Sequence, residues 1–439
     1  MKIQNMKIKP TIYKQRRKQL TALLNGGIAI VRNSSDQIRS NDTHYPYRSN
    51  SYFHYLSGFP ESESILVITS KPNQSFIFTK TKNKEKEIWD GFIYGPKKAA
   101  QDFLFDVGLD LKEFRAFLNE LISTHTNFYL LQEDLDLRSM LSKALNIASK
   151  GKRVGPVMNN HIHSLNTMLD EMRSIKSKDE IELIQKAANI SSEAHKFAMA
   201  NIHLDQYEYQ VEARLRYEFA KNGARNEAYH SIVASGKNAC TLHYIQNNAK
   251  LINGDLILID AGCEYDCYAS DITRTYPING KFSAAQKDVY TIVLEAQKKA
   301  IESVKRNNAF NDPHETAVRV LAQGLKDLKI IRSPVNEIIE KQLYKKYFMH
   351  RTSHWMGLDV HDVGDYYDQK NNSIKLKDGQ ILTIEPGLYF QKNEKIPKAF
   401  QGMGIRIEDD VLVNGNSPII LTAKCPKEIQ DLESIIGKG

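Results

Sequence analysis

Five residues that can bind metal ions lie in the C-terminal half of the chain: Asp260, Asp271, His354, Glu385 and Glu408. Each lies in or beside a strand-like apolar segment that contains glycine or other small residues. Four carboxylates and one imidazole provide enough ligands for two hard divalent cations in a shared site. This set of side chains therefore indicates metal-assisted hydrolysis.

The segments around the first two aspartates have the pattern of a β-hairpin. We predict strands at Leu256–Asp260 and Asp271–Tyr276, with the connecting loop centred on residues 265–266. In that register Asp260 and Asp271 face each other on one side of the pair. Two carboxylates at that separation repel, so cations would be needed to keep both of them ionised. Surface aspartates at strand ends are the alternative, but they would not explain the apolar residues around both.

A second strand-like segment pairs a cation with a carboxylate. Arg406 and Glu408 are two residues apart, so on a strand they lie on the same face. Arg406 can then orient a ligand carboxylate from behind the site. A surface Arg–Glu pair is the alternative interpretation.

Histidines are concentrated in a short glycine-containing stretch. His350, His354 and His361 fall within twelve positions. A lone histidine is more often a core residue, but three so close together indicate a site. One of them can serve as a metal ligand, while the others handle substrate or protons. His243 is a fourth candidate, which would be ignored on its own.

An internal repeat links two of the carboxylates. Leu251–Gly262 matches Leu376–Gly387 in register: both contain Leu-x-[Asn/Asp]-Gly, an apolar strand, a carboxylate and then x-Gly. Asp260 and Glu385 occupy the same place in the two copies. We therefore predict two related halves with pseudo-twofold symmetry and the site between them.

The chain is long enough for two domains. The first part alternates a helix at Pro10–Asn25 with strands at Gly27–Val31, Ser64–Ile68 and Gln74–Phe78, which is an α/β pattern. Ser177 and Glu180 form a capping box that begins a long helix through about Ala200, and a second helix is predicted at Tyr207–Asn222. The predicted domains are therefore residues 1–175, a mixed α/β domain, and residues 176–439.

Composition limits the partners. The 439 residues include 60 Lys+Arg and 52 Asp+Glu, a net charge of +8, and they are 41% hydrophobic. The basic residues are scattered, which is typical of solvated surfaces, so we expect no nucleic-acid partner. The apolar runs are strand-sized and the start is polar, so we expect no membrane segment and no secretory signal. These features predict a cytoplasmic protein.

Read together, the motifs resemble the metallopeptidases of the pita-bread fold, and specifically bacterial aminopeptidase P. The resemblance covers nearly the whole chain. It depends on long motifs, which in the first domain are Tyr45–Phe59 and Glu87–Asp90 and in the second Leu258–Tyr265, Ser270–Thr275, Phe348–His350, Ser353–Gly364, Thr383–Tyr389 and Gly404–Asp410. The first-domain motif separates this family from methionine aminopeptidases.

The resemblance implies a second domain with a pseudo-twofold symmetric antiparallel sheet and flanking helices. It implies the release of the N-terminal residue from peptides with proline in second position, with two divalent metal ions and a bridging water as nucleophile. Oxygen-rich ligands favour manganese over zinc or copper. Asp260 is then expected to bind only the first metal, and Asp271 and Glu408 are expected to bind both metals. His354 and Glu385 are expected to bind only the second metal.

The resemblance also implies roles around the metals. Glu385 is expected to transfer the proton, while His243 and His361 hold the substrate and stabilise the tetrahedral intermediate. The wall for the proline ring is expected to comprise His350, Tyr229, Tyr389 and Arg406. Asp42 and Trp89 are expected to help close the pocket around the site of a neighbouring subunit, which predicts a homo-oligomer, a dimer or tetramer.

One position departs from the family pattern. Arg351 and Thr352 follow His350 where the family usually has glycine, so a bulky cation lies near the pocket mouth or points to solvent.

Three other functions are compatible with parts of the family pattern. A prolidase uses the same ligands but cuts only Xaa-Pro dipeptides. A creatinase-like enzyme lacks the metals, and a non-catalytic pita-bread module loses ligands, whereas this chain keeps all five.

Overall fold

The computed structural model describes residues 8–150, 160–393 and 395–439. The chain divides into two compact units, Met1–Arg173 and Ser174–Gly439. Within the described residues, no helix is both long enough and apolar enough to cross a membrane.

A six-stranded mixed sheet forms the centre of the first unit, in the order β6-β5-β4-β1-β7-β8. Its strands β1, β4 and β5 pair antiparallel, and the remaining neighbours pair parallel. The strands are β1 Ile28–Arg32, β2 Ile38–Ser40, β3 Thr43–His44, β4 Ile65–Ser70, β5 Asn73–Thr79, β6 Val107–Asp110, β7 Asn127–Leu130 and β8 His161–Ser164. The helices are α1 Pro10–Leu23, α2 Ser51–Ser57, α3 Lys84–Asp90, α4 Gly95–Phe103, α5 Phe114–Thr124, α6 Leu135–Lys150 and α7 Asn166–Ser174.

The predicted elements of this unit are present with small changes at their ends. Helix α1 ends at Leu23, before the predicted Asn25, because Asn25 and Gly26 adopt left-handed backbone conformations with φ of 45° and 87°. The three predicted strands correspond to β1, β4 and β5. Their buried side chains pack with α5 and α6 into one core.

In the second unit, long helices surround small antiparallel sheets. The helices are α8 Lys178–Ala200, α9 Glu208–Lys221, α10 Ala284–Glu302, α11 Asp312–Asp327, α12 Val335–Glu340 and α13 Ile429–Ile435. The strands are β9 Asn226–Glu227, β10 Ile232–Ser235, β11 Leu256–Asp260, β12 Cys263–Tyr265, β13 Tyr268–Ala269, β14 Thr273–Pro277, β15 Ile381–Ile384, β16 Gly387–Phe390, β17 Met403–Arg406, β18 Asp409–Leu412 and β19 Ile419–Ile420. The sheets are β10-β11-β14, β13-β12-β9, β15-β18-β19 and β16-β17.

The helix predicted from the capping box is confirmed. Ser177 is the N-cap of α8, the Glu180 N–H donates to its hydroxyl, and the Glu180 carboxylate accepts from the Ser177 N–H at 2.9 Å. These reciprocal bonds satisfy two donors that the first turn leaves unpaired. The helix then runs to Ala200, and its buried face joins the core of the unit.

The two copies of the repeat adopt corresponding structures. Gly254 and Gly379, which occupy the same repeat position, have φ of 91° and 87°, a conformation that glycine adopts without strain. Each is followed by an antiparallel strand, β11 or β15, that ends beside its carboxylate. The partner strands β14 and β18 each begin just after another candidate ligand. The two halves therefore deliver carboxylates from equivalent strand ends.

The predicted register of the first hairpin is wrong. Asp260 pairs with Thr273, two residues beyond Asp271. The reason is the turn, where Asp266 and Cys267 both have positive φ, 55° and 68°, so that a two-residue connection joins β12 and β13. Because the shift is an even number of residues, both aspartates still lie on the same face.

Candidate metal centre and substrate cavity

Strand pairing brings the five predicted ligands to one place. Asp260 ends β11, and Asp271 lies two residues before β14. The Glu408 N–H donates to Thr273 O at 3.1 Å, and the Asp271 N–H donates to an oxygen of Asp410 at 3.0 Å. These bonds join the carboxylate-bearing ends of the two halves.

His354 and Glu385 are positioned together by the edge of β15. The Thr383 N–H donates to His354 O at 3.0 Å, and the Glu385 N–H donates to Thr352 O at 2.8 Å. The imidazole Nδ1 lies 2.9 Å from Trp355 O, which can only accept, so Nδ1 carries the proton. In the neutral ring Nε2 then presents its lone pair, and it lies 3.4 Å from Asp271 and 3.7 Å from Glu385.

Three of the five residues lie close enough together to hold a metal ion. Asp271, His354 and Glu408 each offer a ligand atom, and these atoms lie within 4.8 Å of one another. Glu385 and Asp260 line the same cavity. Four carboxylates with one imidazole are the donors that hard or borderline divalent cations prefer.

Buried hydrogen bonds hold Asp260 and Asp271. Arg406, only 4% exposed, donates from Nη2 to Asp260 Oδ2 at 2.5 Å, as the sequence predicts for a residue that orients a ligand carboxylate. Tyr229 Oη lies 2.7 Å from Asp260 Oδ1 and 2.5 Å from Asp271 Oδ1. Its single proton can serve one carboxylate at a time. Burial and the two aspartates raise the pKa of Tyr229 well above its ordinary value, so the hydroxyl stays protonated.

The electrostatics of the carboxylates also favour bound cations. Burial, and then the charges of Asp271 and Glu385, raise the pKa of Glu408 well above its usual range. Burial raises the pKa of Glu385 to about 7, despite the nearby positive charges of His354 and Arg406. Burial and Asp260 likewise raise the pKa of Asp271. Such groups ionise together only when positive charge lies between them, so the residues present fit divalent metal ions.

A cavity of about 800 Å³ opens over these residues. His243, His350 and His361 line it beside the candidate ligands. The His361 ring packs edge-on against that of His354, with centroids 4.4 Å apart. The His350 Nδ1 lies 3.7 Å from Glu385. The structure thus brings the predicted substrate-handling histidines together with the predicted ligands.

Family models and known proteins agree on what this arrangement is. Residues 182–415 match metallopeptidase family M24, and residues 13–129 match the aminopeptidase P N-terminal domain. The chain is 38% identical to a Xaa-Pro aminopeptidase of Haemophilus influenzae, over 97% of this chain and 96% of that protein. The chain belongs to metallopeptidase family M24. Within that family it belongs with the Xaa-Pro aminopeptidases, which makes it a metal-dependent hydrolase of the exopeptidase class.

Solved structures of the family have the same fold. An aminopeptidase from Pseudomonas aeruginosa superposes with a TM-score of 0.95 at 38% identity, covering 98% of each chain. Zinc-substituted Escherichia coli aminopeptidase P in complex with product superposes with a TM-score of 0.94 at 36% identity, again over 98% of each chain. The predicted family, the pita-bread fold class and the enzyme class are therefore confirmed.

Tyr389 was predicted to form part of the wall for the proline ring, but the structure places it behind the cavity lining. Its side chain is fully buried and is absent from the lining of the cavity. Its hydroxyl lies 2.8 Å from His350 Nε2 and accepts from Arg406 Nη1 at 3.0 Å. Tyr389 therefore supports two lining residues from behind, because the pairing of β16 with β17 directs it inward.

Two predicted residues lie in the first unit. Asp42 is exposed and lies between β2 and β3. Trp89 lies in α3 and is 88% exposed, an unusual state for so large an apolar side chain.

Much of the cavity lining escapes a sequence-based search. His314, at the start of α11, lies 2.8 Å from Thr352 Oγ1, and burial and Arg351 lower its pKa to about 4. His230 also lines the cavity, and its only sequence signal is its place next to Tyr229. The apolar and aromatic wall comes from separate segments: Ile232, Leu242, Ile245, Phe310, Val360, Tyr366 and Tyr367. No spacing pattern links these segments, so only the fold identifies them.

Proposed function

We propose that this M24 enzyme releases the N-terminal residue from peptides whose second residue is proline. The observation that carries the proposal is the convergence of all five candidate ligands with His243, His350 and His361 on one cavity of an enzyme of this family. The metalloenzyme class follows from the family, while the substrate, metal count and residue roles are proposals.

We propose two divalent ions, with manganese as the native metal. Asp260 would hold only the first ion, and Asp271 and Glu408 would hold both ions. His354 and Glu385 would hold only the second ion. When bound, the two cations lower the pKa of a water molecule and withdraw electrons from the scissile carbonyl. Arg406 and Tyr229 keep Asp260 and Asp271 oriented for this role.

The protein's own groups handle protons and charge during hydrolysis. Glu385 lies in the cavity among the candidate ligands, where it would accept a proton from water and return it to the leaving nitrogen. His243 and His361 line the cavity, and they would donate hydrogen bonds to substrate oxygens. Donors fixed in advance stabilise the negative charge that develops as the carbonyl is attacked.

Proline selection would come from the shape of the cavity. The ring needs an apolar wall, and its nitrogen has no hydrogen to donate. We propose that His350, Tyr229 and the stem of Arg406 form that wall, with Tyr389 holding His350 and Arg406 in place. The apolar residues of the remaining lining would accommodate the other parts of the peptide.

The remaining proposals concern organisation. We propose residues 176–439 as the catalytic domain, residues 1–175 as an aminopeptidase P-type domain, and a cytoplasmic homo-oligomer, dimer or tetramer. Asp42 and Trp89 would contribute to the site of a neighbouring subunit, and the exposure of Trp89 is consistent with such a contact. Light scattering on the purified chain gives the oligomeric state, and a monomer would exclude that role.

The deciding experiment measures hydrolysis by metal-stripped protein, with and without added manganese. The substrates are Xaa-Pro-Xaa, Xaa-Pro and Xaa-Ala-Xaa peptides. We expect manganese-dependent cleavage of the first, with the others slow. Cleavage of the dipeptide alone would identify a prolidase, and metal binding without cleavage of any peptide would refute the proposed substrate.

A further inference from the structure

Arg351 is an exposed residue that places a positive charge on the cavity wall. Its guanidinium donates from Nη1 to Asn311 Oδ1 at 2.9 Å and from Nη2 to Tyr367 Oη at 2.6 Å. Both partners also line the cavity. Two hydrogen bonds to different segments orient the guanidinium at the cavity, while the residue stays exposed to solvent and accessible to a ligand.

The partners of this guanidinium are neutral. Among the residues that the structure describes, no carboxylate pairs with it. The four carboxylates in the cavity lining, Asp260, Asp271, Glu385 and Glu408, belong to the candidate metal centre. The charge of Arg351 is therefore available to a ligand, and a guanidinium with unused donors binds a carboxylate well.

The place of Arg351 in the chain indicates which part of a peptide it meets. It directly follows His350, which is proposed to contact the proline ring and lies 3.7 Å from Glu385. An extended peptide advances by about 3.3–3.6 Å per residue, so substrate residues next to the proline lie within a few ångströms of it. A group one or two residues from the scissile bond is therefore the natural partner.

We propose that Arg351 is a specificity-determining residue that binds a substrate carboxylate close to the proline. This inference rests on the proposed function. The carboxylate has two sources, the C-terminus of a short peptide or an acidic side chain in the third position. In either case the enzyme prefers short or acidic substrates over long neutral ones.

The test compares specificity constants of the full-length, manganese-loaded enzyme on matched peptides. One pair is Xaa-Pro-Xaa as the free acid and as the C-terminal amide, and the other pair is amidated peptides with Asp or Asn in third position. The proteins are wild type, R351A, R351K and Y367F, which removes one acceptor of the guanidinium. R319A is the matched control, because Arg319 is exposed on α11 and outside the cavity lining.

We expect wild type to favour one carboxylate substrate by about three- to tenfold in kcat/KM, the range for a charged hydrogen bond at a partly exposed site. The ratio should approach one in R351A, fall partly in R351K and Y367F, and stay at the wild-type value in R319A. The pair that responds identifies the source of the carboxylate.

Equal ratios in wild type and R351A for both pairs would overturn the inference, and so would a wild type that discriminates in neither pair. Both results would still show cleavage of proline peptides, so the proposed function would stand. Failure of every protein to cleave any proline peptide would refute the proposed function instead. Because each ratio is taken within one protein, a general loss of activity in a variant does not affect the comparison.

Discussion

Replacing Arg406 with methionine tests whether metal ions and this guanidinium share the task of stabilising the buried carboxylates. Arg406 donates to Asp260 at 2.5 Å, to Tyr389 at 3.0 Å and to Thr273 at 3.1 Å. Methionine keeps much of the length of the side chain but removes the charge and all three bonds. In the metal-free protein, Asp260 then loses its positively charged partner while staying largely buried.

The contacts give the size of the effect. The bond to Asp260 joins two buried charged groups, and removing one partner of such a pair costs about 3–5 kcal/mol. The bonds to Tyr389 and Thr273 are also charge-assisted, because the guanidinium donor is ionised, and we take about 4 kcal/mol for the whole change. For a unit the size of Ser174–Gly439, each kcal/mol lowers the melting temperature by about 2–4 °C. We therefore expect a loss of about 10 °C in the metal-free enzyme.

Bound metal should reduce this loss. The cations supply positive charge to Asp260 after the guanidinium is gone, so the R406M variant should recover at least half of the lost melting temperature in saturating manganese. Calorimetric scans of wild type, R406M and the surface control R319A, each with chelator and with manganese, measure the effect. An equal loss under both conditions would refute the reasoning, because it would mean that Arg406 stabilises the fold independently of the carboxylates.

Three further predictions concern protons and turnover. In the metal-free site, burial opposes protonation of His354, but its hydrogen bond to Asp271 and the charge of Glu385 outweigh burial and raise the pKa of His354 to about 9. At pH 7 a metal must displace this proton, so calorimetry in two buffers should detect proton release and a metal affinity that rises with pH up to about 9. A metal affinity that does not depend on pH would contradict this. Because His361 is proposed to hold substrate, H361A should lower kcat by about 10²-fold, while metal occupancy, measured by elemental analysis, stays within about twofold of wild type. An equal loss of kcat and of metal occupancy would overturn this role. In the first unit, burial lowers the pKa of His54 from 6.5 to about 3, and the charges of Arg16, Arg48 and Arg173 add to this shift. Folding therefore favours the neutral imidazole, so its contribution to the free energy of unfolding is complete above pH 6.5 and should fall by about 2 kcal/mol at pH 5. Urea unfolding should show this fall in wild type and in H44Q, a change at an exposed histidine, but not in H54L; the same fall in H54L would exclude His54 as the cause.

Local sequence was enough to predict several elements because their causes lie within a few residues. The capping box at Ser177 fixes the start of α8 through bonds to its own first turn. The repeat predicts equivalent strands because each copy contains its own turn glycine, Gly254 or Gly379, and its own apolar run. The metal chemistry is likewise local, since Asp, Glu and His have ligand atoms wherever they are placed.

Other features depended on pairing between distant segments. The register of β11 with β14 was mispredicted by two residues because the positive φ values of Asp266 and Cys267 set the turn. The burial of Tyr389 behind His350 follows from the pairing of β16 with β17. The contact of Arg351 with Asn311 and Tyr367 likewise joins segments for which the sequence gives no common pattern.

The sequence by itself determined which atoms are available: four carboxylates, their histidine and the guanidinium of Arg406. Only the tertiary structure decided which of them meet, that Tyr229 lies between Asp260 and Asp271, and which apolar side chains enclose the substrate cavity. The physical reason is that ligand chemistry and turn conformations are properties of single residues and their immediate neighbours. Distances between side chains far apart in the chain are set by the packing and strand pairing of the whole unit.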